Sequence, residues 1–132
     1  LSSKMYKQIL IDTDILIDCG RADLKAATYL QNQSLTHNLC ISSITAMELL
    51  IGAANKKELN IIEKFIHRFT VIHIDRLVSE TAYNLLKEYR LSNDLLLADA
   101  LIASTSIVNN IDFISKNQKD YRFIKDLKLL SY

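Results

Sequence analysis

The sequence predicts an α/β protein, a three-layer α/β/α sandwich around a mainly parallel sheet of four to five short strands. Three observations predict it. Continuous apolar runs such as Ile9-Leu10-Ile11 lack the alternation of a half-solvated strand, so they read as strands buried on both faces. These runs alternate with longer segments of helical periodicity, the pattern of parallel strands joined by crossover helices. The 132 residues include two Gly and no Pro, which disfavours turn-rich sandwiches and barrels and excludes Pro-rich ligand segments.

The first strand is expected at residues 8–11, ending at Asp12. A short helix at 13–19 carries apolar Ile15, Leu16 and Ile17, and a second helix covers 22–33. The second strand, 39–41, is closed by Ser42-Ser43. A helix at 44–54 has Gly52 near its end, and 58–68 is amphipathic, with Leu59, Ile62, Phe65, Ile66 and Phe69 at helical spacing. The third strand is 71–74, followed by helices at 78–89 and 95–109, the latter apolar nearly all round. Phe113-Ile114 makes a fourth strand and 127–130 a fifth. No repeat or linker interrupts this order. Residues 5–132 therefore read as a single domain, with 1–4 as added or flexible N-terminal residues before a native start at Met5. A chain of this size hides roughly 65–70% of its unfolded surface.

Composition narrows the function. Hydrophobic residues at 49% and charged residues at 23% are ordinary globular values. A net charge of +1, from 16 basic and 15 acidic residues, argues against a general polyanion binder and leaves room for a local basic face. Cys19 and Cys40 match no metal or redox spacing and read as buried thiols in a reducing compartment. With no secretory signal and no apolar run long enough to span a bilayer, the expected location is cytoplasmic, with no membrane partner.

In parallel α/β folds ligands sit at the carboxyl ends of the strands. Asp12 ends the first strand there, although Asp12 or Asp14 also suits a helix N-cap. Thr45-x-x-Glu48 has the form of a capping box, yet the Glu48 carboxylate still falls near a helix start above the sheet. Asp99 lies in the apolar helix, where a buried carboxylate costs several kcal/mol unless paired or bound to a metal. No Lys or Arg occurs in residues 91–114 to pair with it. A helix start capped by Asn93 or Asp94 would help the acid without removing that cost. Asn117 and Asp120, in the polar stretch 115–121, are further ligands or turn caps.

Clustered carboxylates without a cationic partner repel one another. A hard divalent cation resolves that repulsion: Mg²⁺, with Mn²⁺ able to substitute. The chemistry that follows is metal-assisted displacement at phosphorus, with a metal-activated water as nucleophile. His37, His67 and His73 form no ligand set, and Ser or Cys nucleophile motifs, a P-loop and GxGxxG are absent. Lys116, Lys119, Arg122, Lys125 and Lys128, with Asp120 and Asp126, form a net-basic segment. Lys56, Lys57 and Arg68 form another. Either is a solvated face or a set of phosphate contacts for a polynucleotide, with Lys116, Lys119 and Arg122 nearest the last acids.

The order of these segments resembles the PIN-domain ribonucleases, specifically the VapC toxins of VapBC toxin–antitoxin systems. Ile11-Asp12-Thr13-Asp14-Ile15-Leu16-Ile17-Asp18 resembles the family's opening acidic motif, and Ile41-Ser42-Ser43-Ile44-Thr45-Ala46-Met47-Glu48-Leu49-Leu50-Ile51-Gly52 its second. Ala98-Asp99-Ala100-Leu101-Ile102-Ala103-Ser104 resembles the third, and Ser115-Lys116-Asn117-Gln118-Lys119-Asp120-Tyr121 the fourth. The resemblance implies Asp12, Glu48 and Asp99 as metal ligands and catalytic residues, with Asn117 or Asp120 as an auxiliary fourth. It implies an α/β/α fold, Mg²⁺-dependent cleavage of RNA, homodimerisation, and inhibition by a small VapB-like antitoxin lying in the active groove. Ser115 stands where Thr is usual and keeps the hydroxyl. Asn117 stands where many members have Asp, which weakens a second metal site. Asp14 is often Asn or Ser, so its charge is incidental or a further ligand.

Other readings compete. A haloacid-dehalogenase-like phosphotransferase would use Asp12 as nucleophile in Asp12-x-Asp14, with Asn93-Asp94-x-x-x-x-Asp99 as its late acids. Leu16 and the helical setting of Asp99 fit it poorly. A receiver-like signalling domain would need Asp75 as phosphoacceptor and a Lys after the fifth strand, which is missing. A catalytically inactive PIN domain that only binds RNA would leave the intact acids unexplained.

Overall fold

The computed structural model describes residues 6–132, so the expectations for residues 1–4 and Met5 lie outside the described residues. The described elements run β1 (Lys7–Ile11), α1 (Thr13–Gly20), α2 (Leu24–Ser34), β2 (His37–Ser42), α3 (Ser43–Ile51) and α4 (Lys56–Ile66). They continue with β3 (Thr70–Ile72), α5 (Arg76–Asn93), α6 (Leu97–Asn109), β4 (Asp112–Ile114), a 3-10 turn (Gln118–Asp120) and β5 (Leu129–Leu130). Five strands pair in parallel, in the order β3-β2-β1-β4-β5. This is the predicted α/β/α sandwich.

β1 is central because it is apolar on both faces. Ile9, Leu10 and Ile11 have no exposed surface. Their alternation divides the core into two layers. Ile9 and Ile11 join Ile41 and Ile114 against Ile15 and Leu16 of α1, Ala26 and Leu30 of α2, and Ile66 of α4. Leu10 joins Cys40 and Phe113 against Ala82 and Leu85 of α5 and Ala100, Ile102 and Ala103 of α6.

The chain runs from β1 outward to β3 at one edge, then crosses to β4 on the other side of β1. Strand order therefore reverses between β1 and β4, and ligand crevices form at such a point, at the carboxyl ends. Beyond the end of β1, the Asp12 N–H still donates to the Ile114 carbonyl at 2.9 Å, so the loops after β1 and β4 begin side by side.

Several local expectations change. β3 ends at Ile72 rather than 74, because Asp75 turns the chain into α5 by accepting from the Val78 N–H at 2.9 Å. β5 is Leu129–Leu130 alone, while Leu127 drops into the core. Asp94 does not cap the helix carrying Asp99. It closes α5 in a left-handed conformation (φ 60°), its carboxylate 2.9 Å from Arg90. α6 starts at Leu97, after Leu96 as a cap without a side-chain hydrogen bond. Thr45 and Glu48 form no capping box. Ser42 caps α3, accepting from the Ile44 N–H at 3.1 Å, which leaves both side chains for other partners.

Truncating the central strand should be costly. Ile11→Ala is expected to destabilise the protein by about 2–5 kcal/mol in urea unfolding, the range for large-to-small changes in a packed core. A loss below about 1 kcal/mol would contradict β1 as the doubly covered centre of the sheet.

Candidate active site

Four acids approach the reversal point, two from the start of α1 and one each from α3 and α6. Asp12 is the N-cap of α1, accepting from the Thr13 N–H at 2.9 Å, and it is buried, at 5% exposure. Asp14 is in the first turn of α1 and Asp99 in the first turn of α6, where a helix N-terminus favours an acid. Glu48 projects from α3. Asp14, Glu48 and Asp99 are half-buried. Asp99 is therefore less enclosed than its apolar helix predicts, because Leu96 and Leu97 at the helix start face solvent.

Neutral donors hold these acids. Thr13 Oγ1 donates to Glu48 Oε1 at 2.7 Å and lies 2.9 Å from Thr45 Oγ1. Ser115 Oγ, just past β4, donates to Asp12 Oδ2 at 2.7 Å. Tyr121 OH sits 3.0 Å from Asp99 Oδ1 and 3.3 Å from Asp12 Oδ1. Asp14 is bound mainly by the backbone, with Ser115 Oγ 3.2 Å from its Oδ2. Its Oδ1 accepts from the Ile15 N–H at 2.7 Å, and its Oδ2 from the Lys116 and Asn117 N–H groups at 3.1 Å each. Asp14 thus ties α1 to the loop after β4.

The fourth-motif residues are arranged differently from one another. Asn117 meets the acids through its backbone N–H, which donates to Asp14 and to Ser115 Oγ; this hydrogen bonding does not use its side chain, the expected ligand. Asp120 is exposed and lines a small cleft of about 180 Å³ with Asp99, Asn93, Asp94, Leu95 and Leu96. Lys116 turns outward to Asp18, 2.7 Å from its carboxylate, while Lys119 and Arg122 are exposed on the adjoining turn. Larger cavities lie elsewhere. One of about 600 Å³, between α2 and the sheet edge, is lined by Cys19, Leu30, Leu39 and Phe69 and holds no carboxylate.

Burial and mutual repulsion govern the charge. Burial is the largest influence on Asp12 and, with the neighbouring Asp14 charge, pushes its carboxyl up to about 7 against the Ser115 and Thr13 hydrogen bonds. Burial also raises Asp99, opposed by the Tyr121 hydrogen bond and reinforced by Asp120, Glu48 and Asp14. It raises Asp14, opposed by the donors from Ile15, Asn117, Ser115 and Lys116. The Tyr121 phenol is pushed far above its usual range by burial and by the charges of Asp12 and Asp99. Among the described residues, no Lys or Arg forms an ion pair with Asp12, Asp14, Glu48 or Asp99.

The donor set fits a hard divalent cation. It is all oxygen, negatively charged and lacks a cationic partner. Among the described residues, no three His, Cys, Asp or Glu side chains stand close enough to share one metal ion. Mg²⁺ does not need that, since it keeps several waters and takes one or two carboxylates. Asp12 and Asp99, joined through one hydroxyl, supply such a pair.

A parallel sheet with acids gathered at its reversal point is the PIN arrangement. The PIN domain family model matches residues 9–125, and the chain belongs to that family. Within it the chain is VapC-like. It is 30% identical over 141 residues to "Ribonuclease VapC1" of Methanocaldococcus jannaschii, a match that spans all of this chain and 94% of the relative. Among solved structures, a toxin–antitoxin complex from Klebsiella pneumoniae contains a chain 27% identical, with a TM-score of 0.79 and coverage of 94% of this chain and 97% of that one. DNA-bound VapBC from Salmonella typhimurium, 22% identical with a TM-score of 0.82 over 94% of this chain and 97% of that one, shares the fold. Asp75, the acid a receiver domain would phosphorylate, is spent on capping α5. Thr13 and Tyr121 are the site residues that sequence reasoning missed as partners of the acids. A Thr directly after a strand-end Asp was a usable signal, whereas nothing near Tyr121 in sequence points to Asp12 or Asp99.

The raised Asp12 carboxyl has a measurable consequence. The folded-state pKa of Asp12, about 7, lies above its ordinary value of 3.8. The native state therefore holds a proton that the unfolded chain has lost between these values, and stability falls as pH rises through this window. At about 1.4 kcal/mol per unit, the penalty is a few kcal/mol at pH 8. In metal-free protein, Asp12→Asn is expected to raise the Tm by several degrees at pH 8 and by less at pH 5. A lowered Tm at pH 8, or a larger gain at pH 5, would contradict an Asp12 carboxyl raised by burial and by the neighbouring Asp14 charge.

Proposed function

We propose that the chain is a Mg²⁺-dependent endoribonuclease, the toxin component of a type II toxin–antitoxin system. The observation that carries this reading is the meeting of Asp12 and Asp99 at the sheet's reversal point, joined by Tyr121 and unpaired with any Lys or Arg among the described residues. The ribonuclease name of the archaeal relative and the toxin–antitoxin title of the Klebsiella structure support it. Family membership also favours this reading over the phosphotransferase and the receiver.

In this reading Asp12 and Asp99 hold the cation, and Glu48, the third ligand that the resemblance implies, stays on Thr13 and adds negative charge beside Asp99. A cation held by these residues would supply a lowered pKa for an attacking water and neutralise charge on the phosphodiester oxygens. The chain's own residues do the positioning. Thr13 holds Glu48, Ser115 holds Asp12, and the backbone N–H groups of Lys116 and Asn117 fix Asp14 and with it the loop beside the site. Asp120 lines the cleft beside Asp99 and adds negative charge there, and Asn117 is an auxiliary contact from the same turn. Lys119 and Arg122 lie exposed beside that cleft and suit phosphate contacts, which set position without reading sequence. Lys116 joins them when it leaves Asp18. The partner is a VapB-like antitoxin that covers the groove. The working unit is a cytoplasmic homodimer of single-domain chains spanning residues 5–132. Among the described residues, no helix is long and apolar enough to cross a membrane.

Incubation of the purified chain with structured RNAs tests this reading. Internal cuts are expected with Mg²⁺ or Mn²⁺, to be lost with chelator, and to fall by at least about 100-fold in Asp99→Asn, which keeps the shape and removes the charge. Cleavage that survives chelation or Asp99→Asn would contradict it. RNA binding by the wild type with no cleavage in either metal would favour the inactive RNA-binding domain instead.

A further inference from the structure

Tyr121 is fully enclosed, at 1% exposure, and follows the 3-10 turn Gln118–Asp120. Its ring packs edge-on against Phe113 of β4, with centroids 4.8 Å apart at 75°. It belongs to the core layer that holds Ala100 and Ala103 of α6. Packing alone would be served by a phenylalanine, since a buried hydroxyl is costly unless it is hydrogen-bonded. Here the hydroxyl emerges between two acids, 3.0 Å from Asp99 Oδ1 and 3.3 Å from Asp12 Oδ1.

The two contacts differ in weight. Asp12 is also held by Thr13 and Ser115. Among the described residues, Tyr121 is the one hydrogen-bond donor to the Asp99 side chain. A phenol has a single proton. It is donated to the nearer Asp99, or it alternates between the acids. In either case, carboxylates from β1's end and from the first turn of α6 are gauged against one atom. That atom is fixed by a ring locked in the core. Without it, Asp99 is free to turn away from Asp12, which Thr13 and Ser115 still hold.

We propose that Tyr121 is a positioning residue whose hydroxyl sets the spacing at which Asp12 and Asp99 meet a common divalent cation. This rests on the cation-dependent reading of the site. Groups that orient metal ligands in this way typically cost about 10–100-fold in metal affinity when removed.

Calorimetric titration with Mn²⁺ of the wild type, Tyr121→Phe and Asp99→Asn, with RNA absent, tests it. Tyr121→Phe keeps the ring on Phe113, and thermal unfolding checks that it folds. The Phe variant is expected to bind Mn²⁺ about tenfold or more weakly than the wild type. Placing 4-aminophenylalanine at position 121 returns an N–H donor to the same point and is expected to recover most of that loss. A structural role alone would shift the Tm and leave the affinity of the folded protein unchanged. An affinity for the Phe variant within about fivefold of the wild type, while Asp99→Asn still abolishes binding, overturns the role of Tyr121 and leaves the cation reading standing. Should the Phe variant not fold, a folded amine variant that binds as weakly as Asp99→Asn overturns it equally. A wild type that binds no Mn²⁺, or binds it as well after Asp99→Asn, overturns the cation reading and the proposal with it.

Discussion

Carboxylates are placed where a carboxylate is least welcome, beside the ends of a doubly covered parallel strand, with no Lys or Arg paired to them among the described residues. The rest of the structure is arranged around that constraint. β1 has to be buried on both faces to bring Asp12 to the centre of the sheet. The crossing from β3 to β4 has to open the crevice beside it. α6 has to begin at Leu97 for Asp99 to fall in its first turn. Each of these features follows from apolar patterning, and together they concentrate negative charge in a partly dry place.

The way the acids are held explains how that charge persists. Thr13, Ser115, Tyr121 and the backbone N–H groups satisfy carboxylate oxygens as hydrogen-bond acceptors without cancelling their charge. A Lys or Arg in their place would stabilise the metal-free fold and remove the attraction for a cation. The nearest basic side chain in the fourth motif, Lys116, is turned away to Asp18. Its backbone nevertheless serves the cluster by binding Asp14. The cluster thus costs the fold some stability as Asp12 ionises, a common exchange where function needs a strained arrangement of charges.

Much of this was legible in the sequence. The continuous apolar runs gave the strands, because burial on both faces leaves no alternation to misread. Asp12 and Asp99 stood out for opposite reasons, one at a strand's end and one inside an apolar helix with no basic neighbour. The illegible parts depend on which side chains meet across the fold. Thr45 and Glu48 matched a capping box in spacing, but Ser42 reached the helix start first and freed Glu48 for Thr13. Asp94 looked like a cap for α6, but a left-handed turn made it the end of α5. Tyr121 appeared only as the last residue of the fourth motif, since its partners are 22 and 109 positions away.

The most direct test of the cluster as a cation site is an anomalous difference map from crystals of the wild-type chain grown with Mn²⁺. A peak within coordination distance of both Asp12 and Asp99, with Tyr121 still touching their oxygens, is the expected result. Mn²⁺ density confined to exposed acids such as Asp126, with these two carboxylates left bare, would contradict it.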